Sequence, residues 1–226
     1  MAYRSLIVEA ELGSPVVGDP TIPLDGILLF HVMARKFGPP RAMRPGEAVE
    51  YDPAIVPLQI VNPGREWFYA CSFAQWSEYI ENRAYWNKRF DIQHNNVLAS
   101  GRKIDSSSGP YKSYHMPIYY RAARYVRWYC VGDIDAIGHL LSDCIAIGKK
   151  RSIGWGYIHT WHIFPAEHDY SIFDSDGQLT RAIPSSYYAQ AIRDSGLDST
   201  LRDIRFGNRG FRPPYWAREN QTKVAL

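Results

Sequence analysis

Apolar and polar positions alternate from Tyr3 to Leu12, the two-residue period of a half-buried strand, and GSPVVGDPTIP then breaks the pattern with turn formers. In LDGILLFHVMARKFG the period changes: Leu24, Ile27, Leu28 and His31 share one face of a predicted helix. Pro23 suits its first turn, Arg35 and Lys36 lie near its end, and Gly38, Pro39 and Pro40 form its stop. After a basic, proline-spaced linker with Arg41 and Arg44, AIVPLQIV and WFYACSFA predict two strands joined at Asn62-Pro63-Gly64. Simple alternation fails between residues 75 and 122, where WSEYIENRAYWNKRF suggests a short helix and LASGRKIDSSSGPYKSYHMP an extended loop or hairpin arm. We read this stretch as an insertion.

Alternation returns in ARYVRWYCV, with Tyr125, Arg127, Tyr129 and Val131 on one face and Arg124, Val126, Trp128 and Cys130 on the other. Asp133 can cap a helix whose apolar stripe is Ile134, Ile137, Leu140, Leu141, Cys144 and Ile145 and whose end is Gly148. GYIHTWHIF follows as the last predicted strand. The order predicts an α+β fold: a ferredoxin-like (RRM-like) βαββαβ sheet over residues 1–164, both helices on one side, with 75–122 as a large basic inserted arm. Residues 165–226 form a C-terminal extension expected to pack on the sheet or on a neighbouring subunit, since Tyr215 and Trp216 would otherwise be left in water.

Between the second predicted helix and the last strand lies GKKRSIGWG, residues 148–156. Gly148, Gly154 and Gly156 permit positive φ and close approach of a ligand, while Lys149, Lys150 and Arg151 place three cations in one turn beside Ser152 and Trp155. The make-up suits a phosphodiester backbone. A nucleotide-binding P-loop would run strand, loop, helix with Ser or Thr after Gly-Lys; here the order is helix, loop, strand and that pair is missing.

Composition sharpens this picture in one respect. The net charge is only +3, but 19 arginines stand against 7 lysines, and guanidinium groups suit bidentate phosphate contacts and stacking on bases. From Arg83 to Arg127, nine Arg or Lys and eight Tyr, Trp or Phe are interleaved with two Asp, the mixture a single-stranded nucleic acid requires of its partner. The apolar runs are too short for a transmembrane helix, and the N-terminus carries acids where a signal peptide would be apolar. Cys71, Cys130 and Cys144 are odd in number and widely spaced, which predicts neither a disulfide framework nor a zinc site and fits a reducing cytoplasm. Neither cofactor nor metal is expected.

The pieces LDGILLF, SGPYKSYHMP, IGKKRSIGWGYI and RPPYW resemble the RAMP superfamily of CRISPR-associated proteins, and within it the Cas-five-type subunit of type IV CRISPR effector complexes. The resemblance implies a non-catalytic subunit that binds and caps the 5′ handle of a CRISPR RNA. It would adjoin backbone (Cas-seven-type) subunits and the large subunit, near target DNA at the protospacer-adjacent motif, in a prokaryotic cytoplasm. Carried onto this chain, the 148–156 loop would lie along the handle backbone, and the arm with Arg102, Lys103, Tyr111 and Lys112 would close over the RNA as a thumb; Arg127 completes the candidate set. Some RAMP proteins cleave RNA without metal through a histidine base. His31, on the apolar face of its helix, is the candidate catalytic residue here, with a structural role as the competing reading; His94 and His115 lie in the insert, and His159 and His162 face opposite ways on a strand. A general single-stranded nucleic-acid-binding protein is the remaining alternative.

Overall fold

The computed structural model describes residues 3–38, 50–62, 64–89, 91, 105–196 and 204–226. Those residues form a mixed α/β structure with antiparallel sheets and three α-helices. The strands are β1 (Arg4–Leu12), β2 (Val16–Val17), β3 (Ile60–Val61), β4 (Phe68–Tyr69), β5 (Gln75–Trp76), β6 (Tyr79–Lys88), β7 (Tyr114–Ala123), β8 (Tyr125–Gly132), β9 (Ile158–Pro165), β10 (Ile183–Pro184), β11 (Phe206–Gly210) and β12 (Gln221–Ala225). The helices are α1 (Leu24–Phe37), α2 (Ile134–Leu141) and α3 (Ser185–Ser195). None of the described helices is long and apolar enough to cross a membrane.

β1 is the centre of the main sheet. Leu6, Val8 and Ala10 are fully buried, and the strand pairs antiparallel with β8 on one side and β9 on the other, in the order β5-β8-β1-β9. Val126, Trp128 and Cys130 of β8 line the same face, and α1 and α2 cover it with Leu24, Leu28, Leu29, Ile137 and Leu141. Trp128 is buried without an orphaned donor, since its Nε1–H donates to the Ile22 carbonyl at 2.8 Å. Truncating a fully buried leucine such as Leu28 to Ala would cost about 2–5 kcal/mol.

Four expectations from the sequence need correction. The stretch read as a short helix is strand β6, which pairs with β7 over ten residues, from Tyr79↔Ala123 to Lys88↔Tyr114. The hairpin expected around Asn62 pairs only Ile60–Val61 with Phe68–Tyr69, because the neighbouring backbone bonds elsewhere: Gln59 N–H donates to Val131 O and Ser72 N–H to Tyr129 O, stitching this region onto β8. α2 stops at Leu141 rather than running to residue 147. Ser142 turns back on Gly138 and His139, and residues 146–147 extend to meet the start of β9 (Ala146↔Tyr157, Ile147 N–H to Gly156 O), leaving Ile145 71% exposed. Finally, β9 is not the last strand. The C-terminal segment builds α3 and the sheet β10-β12-β11 around its own apolar cluster, Ile183, Ile192, Phe211 and Val224, completed by Phe68 from β4.

A buried polar cluster fastens that segment to the main body. The Arg181 guanidinium, fully buried, donates to the carbonyls of Tyr69, Cys71 (2.9 Å) and Phe211 (2.6 Å) and lies 3.6 Å from the buried Asp25 carboxylate at the start of α1. Asp25 also accepts from Tyr215 Oη at 2.8 Å and from Gly26 N–H at 2.7 Å. Burial pushes the Asp25 carboxyl above its ordinary value, opposed by Arg181 and by these donors. Apart from the local bond from Gly26, these contacts join distant parts of the chain.

Candidate nucleic-acid interface

The loop from Gly148 to Gly156 is held through its own backbone groups by bonds that leave its cationic side chains outside. Lys149 N–H donates to Val17 O at 2.7 Å, Gly156 N–H to Pro15 O at 2.8 Å, and Ser14 Oγ–H to Gly154 O at 2.8 Å. A short 3-10 turn, Arg151–Ile153, forms the tip, entered through Lys150 at φ 62° and left through Gly154 at φ 90°. Glycine is required at the base: Gly156 has φ 70°, and a Cβ there would overlap the Ile147 carbonyl oxygen. Lys149, Lys150 and Arg151 are exposed, and among the described residues none of the three forms an ion pair with a carboxylate.

β2 joins this loop to the arm. Val17 pairs with Tyr120 of β7 on one edge and bridges to Lys149 on the other, so the β6–β7 hairpin and the loop become neighbours through a two-residue strand. Their side chains then meet: the Lys150 ammonium sits 4.2 Å from the Trp86 ring centre, and Trp155 packs on Tyr120 with ring centres 5.2 Å apart. Both contacts use one face of the hairpin, that of Trp86, Ile118 and Tyr120. The opposite face carries Tyr79, Arg83, Tyr85, His115, Tyr119 and Arg121 at alternate positions. Tyr119 is 66% exposed, Tyr85 stacks on His115 at 4.5 Å, and Arg121 lies 4.0 Å from the Tyr79 ring centre and 5.1 Å from that of Trp76 while also bonding Glu81. Cations held against aromatic rings on an exposed ribbon can contact phosphates with one group and bases with the other.

Of the residues singled out from the sequence, Gly148, Lys149, Lys150, Arg151, Ser152, Gly154, Trp155 and Gly156 form this contiguous loop. Tyr111 and Lys112 lie at the far end of the arm, where Lys112 and Lys88 both approach Tyr114. Arg102 and Lys103, like His94, lie outside the described residues. Arg127 is not brought to the loop: it sits on the face of the main sheet away from the helices and is bonded to Glu9. His31 borders a cleft of about 520 Å³ that Arg151 and Ser152 also line. Burial holds its imidazole below the ordinary histidine value, with Asp143 opposing and Arg151 and Arg35 adding to the effect.

The sequence reading missed Trp76, Trp86, Tyr120 and Arg121 as individual contributors. The alternation of Tyr79, Arg83 and Tyr85 with Ile80, Ala84 and Trp86 was the available signal, but only the pairing with β7 shows which residues share a face. Among the described residues no three His, Cys, Asp or Glu side chains cluster so as to hold a metal ion.

No curated protein matches the chain. Residues 82–226, which include most of the arm, the glycine loop and the whole C-terminal segment, match the family model for CRISPR type IV associated protein Csf3. A match over well more than half of the chain settles the family: this protein belongs to the Csf3 family of CRISPR type IV associated proteins.

Proposed function

We propose that this type IV CRISPR subunit binds the 5′ handle of the CRISPR RNA, with the 148–156 loop along the sugar-phosphate backbone and the β6–β7 arm as the thumb, and that it does so without cutting RNA. One observation carries the reading. Through Val17, the loop and the arm are neighbouring edges of one small sheet, so that Lys150 and Trp155 meet Trp86 and Tyr120. Fixed backbone geometry and exposed cations position a phosphate chain, and aromatic faces supply stacking for its bases.

The main sheet supports the wider placement. Its order, β5-β8-β1-β9, all antiparallel with α1 and α2 packed on one face, is the order a ferredoxin-like βαββαβ unit produces, in keeping with a RAMP protein. On this reading the neighbours are backbone (Cas-seven-type) subunits and the large subunit, with target DNA near the protospacer-adjacent motif, in a prokaryotic cytoplasm. His31 acts as a structural histidine: it is 8% exposed and packs edge-on against Phe30 at 5.3 Å.

The test is co-purification. Expressed with its CRISPR array and partner subunits, the protein should carry RNA of uniform 5′ end, and a variant with Lys149, Lys150 and Arg151 all changed to Ala should lose it. Retention of the same RNA by the triple variant would remove the loop from the interface. Incubation of the purified protein with repeat RNA in EDTA should leave the RNA intact; a product ending in a 2′,3′-cyclic phosphate would instead make the protein a ribonuclease.

A further inference from the structure

Two clefts meet at the turn Gly18–Asp19. On the arm side a cleft of about 550 Å³ is lined by Trp76, Asn82, Arg83, Tyr119 and Arg121. On the other side a cleft of about 340 Å³ is lined by Phe73, Lys149, Arg209 and Tyr215. Gly18 and Asp19 border both. The second cleft thus brings a cation from the glycine loop and a cation from β11 of the C-terminal segment to one hollow.

The walls are fixed before any ligand arrives. Trp76 Nε1–H donates to Pro20 O at 2.9 Å, Arg121 is held by Glu81, and Tyr215 Oη donates to Asp25. The Lys149 side chain runs beside Gly18, where a Cβ would lie 3.4 Å from its Cγ. Asp19 lines the same hollow, within electrostatic reach of both cations. Its Oδ1 accepts from Thr21 N–H at 2.9 Å and from Thr21 Oγ1–H at 2.6 Å. Burial alone would raise its carboxyl, but those hydrogen bonds and the charges of Arg209 and Lys149 bring it below the ordinary value. A hollow lined by a lysine, an arginine and a carboxylate within their electrostatic reach, with aromatic rings at its rim, has the chemistry to take a phosphodiester beside those cations.

We propose that the Gly18–Asp19 turn is the saddle of a single-stranded nucleic-acid groove, with a base among Trp76, Tyr119 and Arg121 and the neighbouring phosphate between Lys149 and Arg209. The C-terminal segment is then part of the binding surface and not only a brace. This inference rests on the loop reading above and extends it to residues that reading does not use. The ligand is defined by its chemistry, a phosphate chain with exposed bases, which RNA and DNA share.

The experiment is a fluorescence-anisotropy titration of the full chain with a labelled oligonucleotide of about 12 nucleotides, within the usual site size of one small domain, made once as RNA and once as DNA. Three variants are compared: Arg209→Ala, Asp19→Asn, and Lys150→Ala with Arg151→Ala as the loop reference. Arg209 is exposed, so its replacement leaves the fold intact, which circular dichroism checks. Arg209→Ala should weaken binding about 3–10-fold and lower the slope of log K against log salt by about 0.7, the share of one phosphate contact on a single strand. Asp19→Asn, which removes a competing anion, should tighten binding severalfold. If the effect is confined to the RNA, the groove continues the guide's path; if to the DNA, it receives a separate strand; either result supports the groove. If Arg209→Ala binds as the unaltered chain does while the loop variant is weakened, the groove is wrong and the loop reading stands. If no variant changes binding, both fall.

Discussion

Changing Lys149, Lys150 and Arg151 together to alanine removes three exposed cations without touching the hydrogen bonds that shape their loop, because Lys149 holds Val17 through its backbone N–H and the tip is closed by the Ile153 and Gly154 N–H groups and by Ser14 Oγ, none of which uses the three side chains. Each phosphate neutralised on a single strand releases about 0.7 of a counterion, so the variant's plot of log K against log salt should be shallower by about 2. At about 0.1 M salt that slope corresponds to about a hundredfold in affinity, or about 2.8 kcal/mol. Part of this is offset: the Lys150 ammonium lies 4.2 Å from the Trp86 ring centre and the Arg151 guanidinium 5.3 Å from that of Phe30. If both must leave their rings to reach phosphates, each gives up about 0.5–1 kcal/mol of cation–π attraction, and the net effect shrinks to about 4–20-fold. Anisotropy titrations of a labelled single-stranded RNA over a range of KCl concentrations measure slope and affinity together, with circular dichroism to show that the fold survives. An unchanged slope, with affinities within about twofold at every salt concentration, would show that the loop does not carry phosphates and would refute the electrostatic reasoning.

Three further outcomes follow from the structure. Arg181→Met leaves Asp25 buried without its cation and the Tyr69, Cys71 and Phe211 carbonyls without their donor; the loss of one partner from such a pair costs roughly 3–5 kcal/mol, which for a chain of this size lowers the melting temperature by about 6–20 °C. Calorimetry checks it, and a shift below about 2 °C would mean the cluster does not hold the C-terminal segment in place. The buried His31 binds its proton more weakly in the folded chain than in the unfolded one, so stability is fully present above the unfolded value near 6.5 and declines as pH falls below it. Urea midpoints measured on both sides of that value should show the decline, and His31→Phe should reduce it. Arg127→Ala removes only the partner of Glu9 on the sheet face remote from the loop, so RNA affinity should stay within about twofold of the unaltered chain in the same titration.

How much of this could be read from the chain depended on whether an element has a buried face. β1, β8 and β9 each bury one side in the main core, so their alternation was explicit, and α1 announced itself through Leu24, Leu28 and the stop at Gly38. The glycine loop was legible because positive φ demands residues that can adopt it, at Gly148, Gly154 and Gly156. The arm carries aromatics on both faces, Tyr79 and Tyr85 on one and Trp86 and Tyr120 on the other, and so offers no single period; a helix was an equally good local fit until β7 supplied the partner. The C-terminal segment was opaque for a different reason. Its strands are two to five residues long, and its core is completed by Phe68, more than a hundred positions upstream. The pairing of Arg127 with Glu9 is hidden in the same way, since only the register of β1 against β8 reveals it.

The placement of charge separates the two broad faces of this molecule more firmly than its net charge does. On the open side of the main sheet Arg127 pairs with Glu9 and Arg124 with Glu11. Those arginines bring their countercharge with them and present little field to a polyanion. Around the glycine loop the arrangement is reversed: Lys150 is turned toward the Trp86 ring and Arg151 toward that of Phe30, and an aromatic face attracts a cation without neutralising its charge. A ring also keeps the side chain close to one position, so less rotamer freedom remains to be lost when a phosphate binds. The same chain therefore offers two arginine-bearing surfaces, one internally neutralised and one held ready. Only the second presents positive charge without a paired carboxylate, the condition for attracting a polyanion.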